Sequence, residues 1–144
     1  MAVYGVCAEG QPDVDRAIKD WELNYEVFSD PTHTLRNYLN EKGLIEVKVS
    51  GGENSTDSGF YKVHPKIKHY KHGVVQPGVL CVTSEGQKIY AWAINPALMN
   101  LGGATDRPVP EDIWKYVKAR LDDSIKKEDP VPKMRIRGKT STLF

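Results

Sequence analysis

No apolar run in this chain approaches the roughly 18 residues that a membrane-spanning helix needs, and the opening MAVYGVCAEG has neither a charged n-region nor a long apolar core. The expectation is a cytoplasmic protein without a membrane partner. Cysteine is scarce: Cys7 and Cys81 are too few for a disulfide scaffold and lack CxxC spacing. An excess of one charge is also missing, since 20 Lys and Arg against 19 Asp and Glu leave a net +1, so no specific nucleic-acid partner is expected. There are no internal repeats, no low-complexity tracts and no GxxxxGK[ST] phosphate loop. Asn54-Ser55-Thr56 fits a glycosylation acceptor, but beside no export signal it reads as a polar loop.

What is present is one domain's worth of chain, 144 residues with 40% hydrophobic content, enough for a single core. Ala2 to Cys7 reads as a buried strand. Pro12 then stands where a first helical residue belongs, ahead of Val14, Ala17, Ile18 and Trp21 at helical spacing. Tyr25 to Phe28 is a second strand. Asp30-Pro31 caps and starts a helix carrying Leu35, Tyr38 and Leu39, closed by Gly43. Leu44 to Val49 follow as a strand or extended arm, and the Gly/Ser/Asn-rich Ser50 to Gly59 and basic Tyr61 to His72 read as an insertion over one face.

Gly73 to Ile94, GVVQPGVLCVTSEGQKIYAWAI, is the most informative stretch. Pro77 has no N–H to give a ladder and so belongs at a strand's first residue; Val79 to Val82 form an apolar run; Ser84-Glu85-Gly86 supply a turn; Lys88 to Ile94 return as a half-buried strand. Pro110 then opens a helix with Ile113, Val117 and Leu121 on one stripe and Trp114 beside them. Residues 1–123 are read as one domain. Residues 124–144, rich in Lys, Arg and Pro without apolar periodicity, are read as a tail that is flexible or strapped along the surface.

GVVQPGVLCVTSEGQKIYAWAI, with NLGGATDRPVPEDIW after it, resembles the C-terminal half of thioredoxin-like proteins of the peroxiredoxin (AhpC/TSA) family. The resemblance covers roughly Ala2 to Leu121. It implies an α/β thioredoxin-like sandwich, incomplete at the N-terminus, ending in a ββα unit, and it implies a cis bond before Pro77 at the border of the active site. The family's peroxidatic cysteine lies in a PxxxTxxC segment before the strand matched by Ala2 to Cys7; this chain begins after it, and the family's arginine near the proline-bearing strand is replaced, with Gln76 just ahead of Pro77. The strand missing from the family's sheet implies open edges, hence a homodimer or a strand-completing protein partner.

The function implied is that of a thiol antioxidant or oxidoreductase with a thiol reductant and no cofactor; the alternative is a catalytically inactive module that binds a protein or small ligand around Pro77 and Gln76. Cys7, at the strand end where α/β sheets place their sites, is the candidate catalytic thiol, with a small buried hydrophobe as the alternative reading. Gln76, Pro77, Glu9 and Arg107 are the candidate substrate- or partner-binding residues. Asp106 and Arg107 also suit a purely structural turn after Gly102-Gly103. The spacing of His64, His69 and His72, with His33 elsewhere, could present imidazoles to a metal, but no nearby Cys or carboxylate completes a set and Lys66, Lys68 and Lys71 would repel a cation, so a solvated basic segment and no metal are expected.

Overall fold

The computed structural model describes residues 2–52, 71–95 and 106–137 and shows a mixed α/β protein, with three helices and small sheets among the described residues. It divides into two compact units, Met1–Gln76 and Pro77–Phe144. The candidate glycosylation acceptor, His64, His69 and the loop from Gly102 to Thr105 lie outside the described residues. No helix among the described residues is long and apolar enough to cross a membrane.

In the first unit β1 (Tyr4–Cys7) and β2 (Glu26–Ser29) pair in parallel, in register from Tyr4↔Glu26 to Cys7↔Ser29, with α1 (Gln11–Asp20) between them in sequence. Parallel neighbours need such a crossover, because a tight turn cannot return the chain in the same direction. Pro12 sits in the first turn of α1, Asp13 beside its positive end and Lys19 in its last turn, each complementing the aligned peptide dipoles. Val14 is its buried residue, and the helix packs on β2. Trp21, expected on the apolar stripe, is instead the C-cap and 73% exposed, because the helix ends one residue earlier.

β1 is not the fully buried strand expected. Side chains alternate across a strand, and only one face of this pair is covered: Gly5, Cys7, Val27 and Ser29 are half-buried, whereas Tyr4, Val6 and Phe28 are exposed, the Tyr4 and Phe28 rings lying 5.7 Å apart.

α2 (Thr34–Glu41) begins later than Pro31. Asp30 does cap it, at a distance: its carboxylate accepts the Thr34 N–H at 2.7 Å and the Arg36 N–H at 3.2 Å, satisfying two of the donors that a helix start leaves open. Gly43, at φ 65, closes it in the left-handed region as the sequence suggests. Leu35 and Tyr38, expected inward, are exposed. The helix is held to the next segment by polar groups instead. The Arg36 guanidinium donates to the Val47 carbonyl from Nε at 2.8 Å and Nη2 at 2.6 Å, and the Val47 N–H donates to Asn40 Oδ1 at 3.0 Å.

Of Leu44 to Val49, expected as a strand or an extended arm, only Val49 joins a strand, β3 (Val49–Ser50), because the Val47 backbone is engaged by side chains and does not join a ladder. Ile45, Val47 and Val49 still alternate into the core. β3 pairs antiparallel with β4 (Val74–Val75), a strand the sequence reading does not contain, and the Gln76 N–H extends the contact to the Lys48 carbonyl at 2.9 Å.

In the second unit β5 (Gly78–Val82) and β6 (Lys88–Ala93) form the expected antiparallel hairpin, with an irregularity between Cys81 and Val82 and Gly86 at φ 78 in the turn. α3 (Pro110–Leu121) follows, with Glu111 and Asp112 in its first turn and Lys118 and Arg120 in its last. Tyr90, Ile113, Tyr116 and Val117 form the core, with Val79, Ile89, Trp92, Ile125 and Met134 against it. Leu121, expected on the buried stripe, is 56% exposed; Tyr116 takes the inward position, and the turn at Asp123 (φ 59) brings Ile125 onto the core instead.

The segment after α3 returns along it. Arg135 clasps Asp112, donating from its backbone N–H at 3.0 Å, from Nε at 2.9 Å and from Nη2 at 2.6 Å, while Pro108 and Ile136 form an antiparallel bridge. These hydrogen bonds hold the Asp112 carboxyl down at about 2, from an ordinary 3.8. A carboxyl depressed on folding stabilises the clasp above its ordinary value, and that contribution disappears as the pH falls through about 2. Arg135→Ala is expected to leave the hairpin and α3 intact while trypsin cuts severalfold faster after Lys126, Lys127 and Lys133; cleavage at the wild-type rate would show that the clasp does not hold the segment.

Candidate functional site

The carboxyl ends of β1 and β2 are tied together by two hydrogen bonds. The Asp30 N–H donates to the Cys7 carbonyl at 2.8 Å, and Ser29 Oγ donates to the Glu9 carbonyl at 2.6 Å. Cys7 ends β1 half-buried and free of any disulfide, Glu9 follows it, and Gly10 is the N-cap of α1. Of the expected site residues, Cys7 and Glu9 are thus brought to one strand end. It is the end at which ligands approach α/β sheets. A thiol there, once deprotonated, can attack a peroxide or a disulfide sulfur. Among the described residues no three His, Cys, Asp or Glu side chains gather as metal ligands.

Gln76 closes the first unit. Its side chain is turned inward, 4% exposed, and its Nε2 donates to Ser50 Oγ at 2.9 Å. Ser50 is wholly buried, and Gln76 Oε1 has no hydrogen-bond partner among the described residues. The Gln76 amide is therefore fixed by the β3–β4 pair, not offered at a surface.

Pro77 and Arg107 belong to the second unit. Contrary to the cis bond implied by the resemblance, no cis peptide occurs among the described residues, and the Gln76–Pro77 bond is trans. Pro77 stands one residue ahead of β5, and its carbonyl accepts the Ile94 N–H at 3.0 Å. Arg107 is exposed, and its carbonyl accepts the Arg137 N–H at 2.9 Å. Cys81 lies half-buried on β5, where burial pushes its thiol up and keeps it protonated near neutrality.

The residue that sequence reading missed is His33. Its sequence context suggests only a metal ligand, yet it is wholly buried, in the left-handed conformation at φ 61, immediately before α2. Its Nε2 lies 3.1 Å from the Gly73 carbonyl, which can only accept, so Nε2 carries the proton and Nδ1 is a bare acceptor; among the described residues Nδ1 has no partner. Burial lowers the imidazole from its ordinary 6.5, against the opposing pull of its bond to Gly73 and of Asp30, with Arg36 and His72 adding to the lowering. A non-glycine residue ahead of a helix and just after a capping Asp was the available signal, but nothing local says that an imidazole there turns inward.

No protein-family model, curated protein or solved structure matches this chain.

Proposed function

We propose that this chain is a thioredoxin-like module of the peroxiredoxin-like type and that Cys7 is its redox thiol. The observation that carries the reading is the position of Cys7, half-buried at the carboxyl end of a parallel strand whose connection runs directly into the N-terminus of α1. The ββα order of the second unit supports it as well. In the reaction envisaged, the Cys7 thiolate attacks the peroxide O–O bond; one oxygen stays on sulfur as a sulfenic acid and the other leaves as water or an alcohol after taking up a proton. A thiol reductant then condenses with the sulfenic acid, releasing water and forming a mixed disulfide, and a second thiol restores Cys7.

Peroxide consumption with dithiothreitol or thioredoxin as reductant tests this directly. Wild type is expected to turn over and Cys7→Ser to fall to background; equal rates in the two, or no turnover in either, would remove Cys7 from the chemistry.

A second reading has its own supporting observation. Tyr4, Val6 and Phe28, with Glu26 opposite Tyr4, make the exposed face of the β1–β2 pair, three of its four side chains apolar, and among the described residues β1 pairs on one side alone. Such a sheet recruits a covering or strand-completing chain, as an inactive binding module or a homodimer would require. A mass by light scattering above that of one chain supports it, and a monomer at high concentration argues against the homodimer.

A further inference from the structure

We propose that His33 is an acid-released latch that fastens the chain at Gly73, and with it the β3–β4 pair, to the start of α2. The contact joins residues far apart in sequence through a single imidazole, since Nε2–H donates to the Gly73 carbonyl at 3.1 Å. Gly73 directly precedes β4, and Gln76 directly follows it, so this one bond anchors the entrance of the strand whose exit carries Gln76. Both ends of the latch are buried.

The latch is closed only in one protonation state. With Nε2 donating, neutral His33 has at Nδ1 a lone pair that asks for a donor; a second proton would turn Nδ1 into a buried donor with no acceptor among the described residues and would place a full charge in the core. The groups that face the ring do not remove that penalty. Asp30, from the loop between β2 and α2, favours the cation, but both of its oxygens already receive α2 backbone N–H groups; Arg36, from α2, and His72, whose ring is edge-on at 6.3 Å from the turn before Gly73, oppose it. Protonation is therefore most easily met by the ring leaving its site, which frees the Gly73 carbonyl and loosens β4.

The sign follows from linkage. A histidine whose folded-state value lies below the ordinary 6.5 binds more protons when released than when latched, so the latch weakens as the pH falls below 6.5 and holds above it. One proton bears on the equilibrium, giving at most about a tenfold change in opening between pH ~7.5 and pH ~5.5.

Amide hydrogen exchange of the wild-type chain, corrected for the intrinsic pH dependence, reads this at the Gln76 N–H, which donates to Lys48, and at the β3–β4 amides. Protection there is expected to fall severalfold from pH ~7.5 to ~5.5, while amides of β5–β6 keep theirs. His33→Gln retains a donor for Gly73 but cannot titrate, so its protection should not vary over the same range; His72→Gln should behave as wild type. If His33→Gln fails to fold, the ring titration of His33 in the wild type by NMR stands in its place, with a value below 6.5 expected. Unchanged wild-type protection, a pH dependence that survives His33→Gln, one that vanishes in His72→Gln, or a His33 ring titrating at or above 6.5 would each overturn the latch.

Discussion

Gly73→Ala is expected to destabilise the first unit by about 3 kcal/mol, near the upper end of what single substitutions do. Two effects combine. Gly73 holds φ +92, where a side chain is strained by about 1–2 kcal/mol. A Cβ at this position would also overlap the Gly51 carbonyl oxygen and stand 2.6 Å from Val49 Cγ1. The first of these neighbours is backbone and the second is fully buried, so neither yields without moving β3. Gly86→Ala is the matching control: its φ is +78, but nothing lies within 4 Å of the added carbon, and a loss of only about 1 kcal/mol is expected. Urea unfolding gives the comparison, with exchange followed at the β3–β4 amides for Gly73→Ala and at the β5–β6 amides for Gly86→Ala. Equal losses in the two variants would mean that close approach at the base of β3–β4 contributes nothing.

Tyr90→Ala should cost the second unit about 3–5 kcal/mol, the range for removing a buried aromatic side chain. Tyr90 is 4% exposed, its ring meets that of Tyr116 edge-on at 6.0 Å, and Ile113 and Val117 complete the cluster. The unit is small, and its hairpin and helix share this one cluster, so a cavity there has little surrounding chain to collapse into it. Tyr90→Phe keeps the ring and is expected to lose less than about 1.5 kcal/mol. Thermal unfolding followed by the fluorescence of Trp92 and Trp114, both in this unit, measures each. A loss under about 1 kcal/mol in Tyr90→Ala would show that the core lies elsewhere.

The elements with punctuated local chemistry were legible in the sequence. Pro12 and Pro110 mark helix starts, Gly43 a helix end, and Ser84-Glu85-Gly86 a hairpin turn, around which the Thr83 N–H closes on the Gln87 carbonyl at 2.9 Å. Each of these acts within a few residues, so the signal and its consequence share one window. The misreadings have the opposite character. Trp21, Leu35, Tyr38 and Leu121 are apolar and suitably spaced yet exposed, because helical periodicity says which residues share a face and not whether another element arrives to cover it. The site divides in the same way. Cys7 at a strand end was readable from the run Ala2 to Cys7 and the turn after it. The inward position of Gln76 and the burial of His33 depend on Ser50 and Gly73, which lie 26 and 40 residues away along the chain from their respective partners.

By itself, the amino-acid sequence determined the starts of α1 and α3, the close of α2 and the hairpin, since backbone propensity, proline's missing N–H and glycine's freedom at positive φ are local properties. Tertiary structure alone decided which apolar faces found cover and which buried polar groups found partners. Burial and hydrogen-bond satisfaction depend on residues that meet only when the chain has folded, and His33, silent in the sequence and wholly enclosed beside Gly73, is the clearest case.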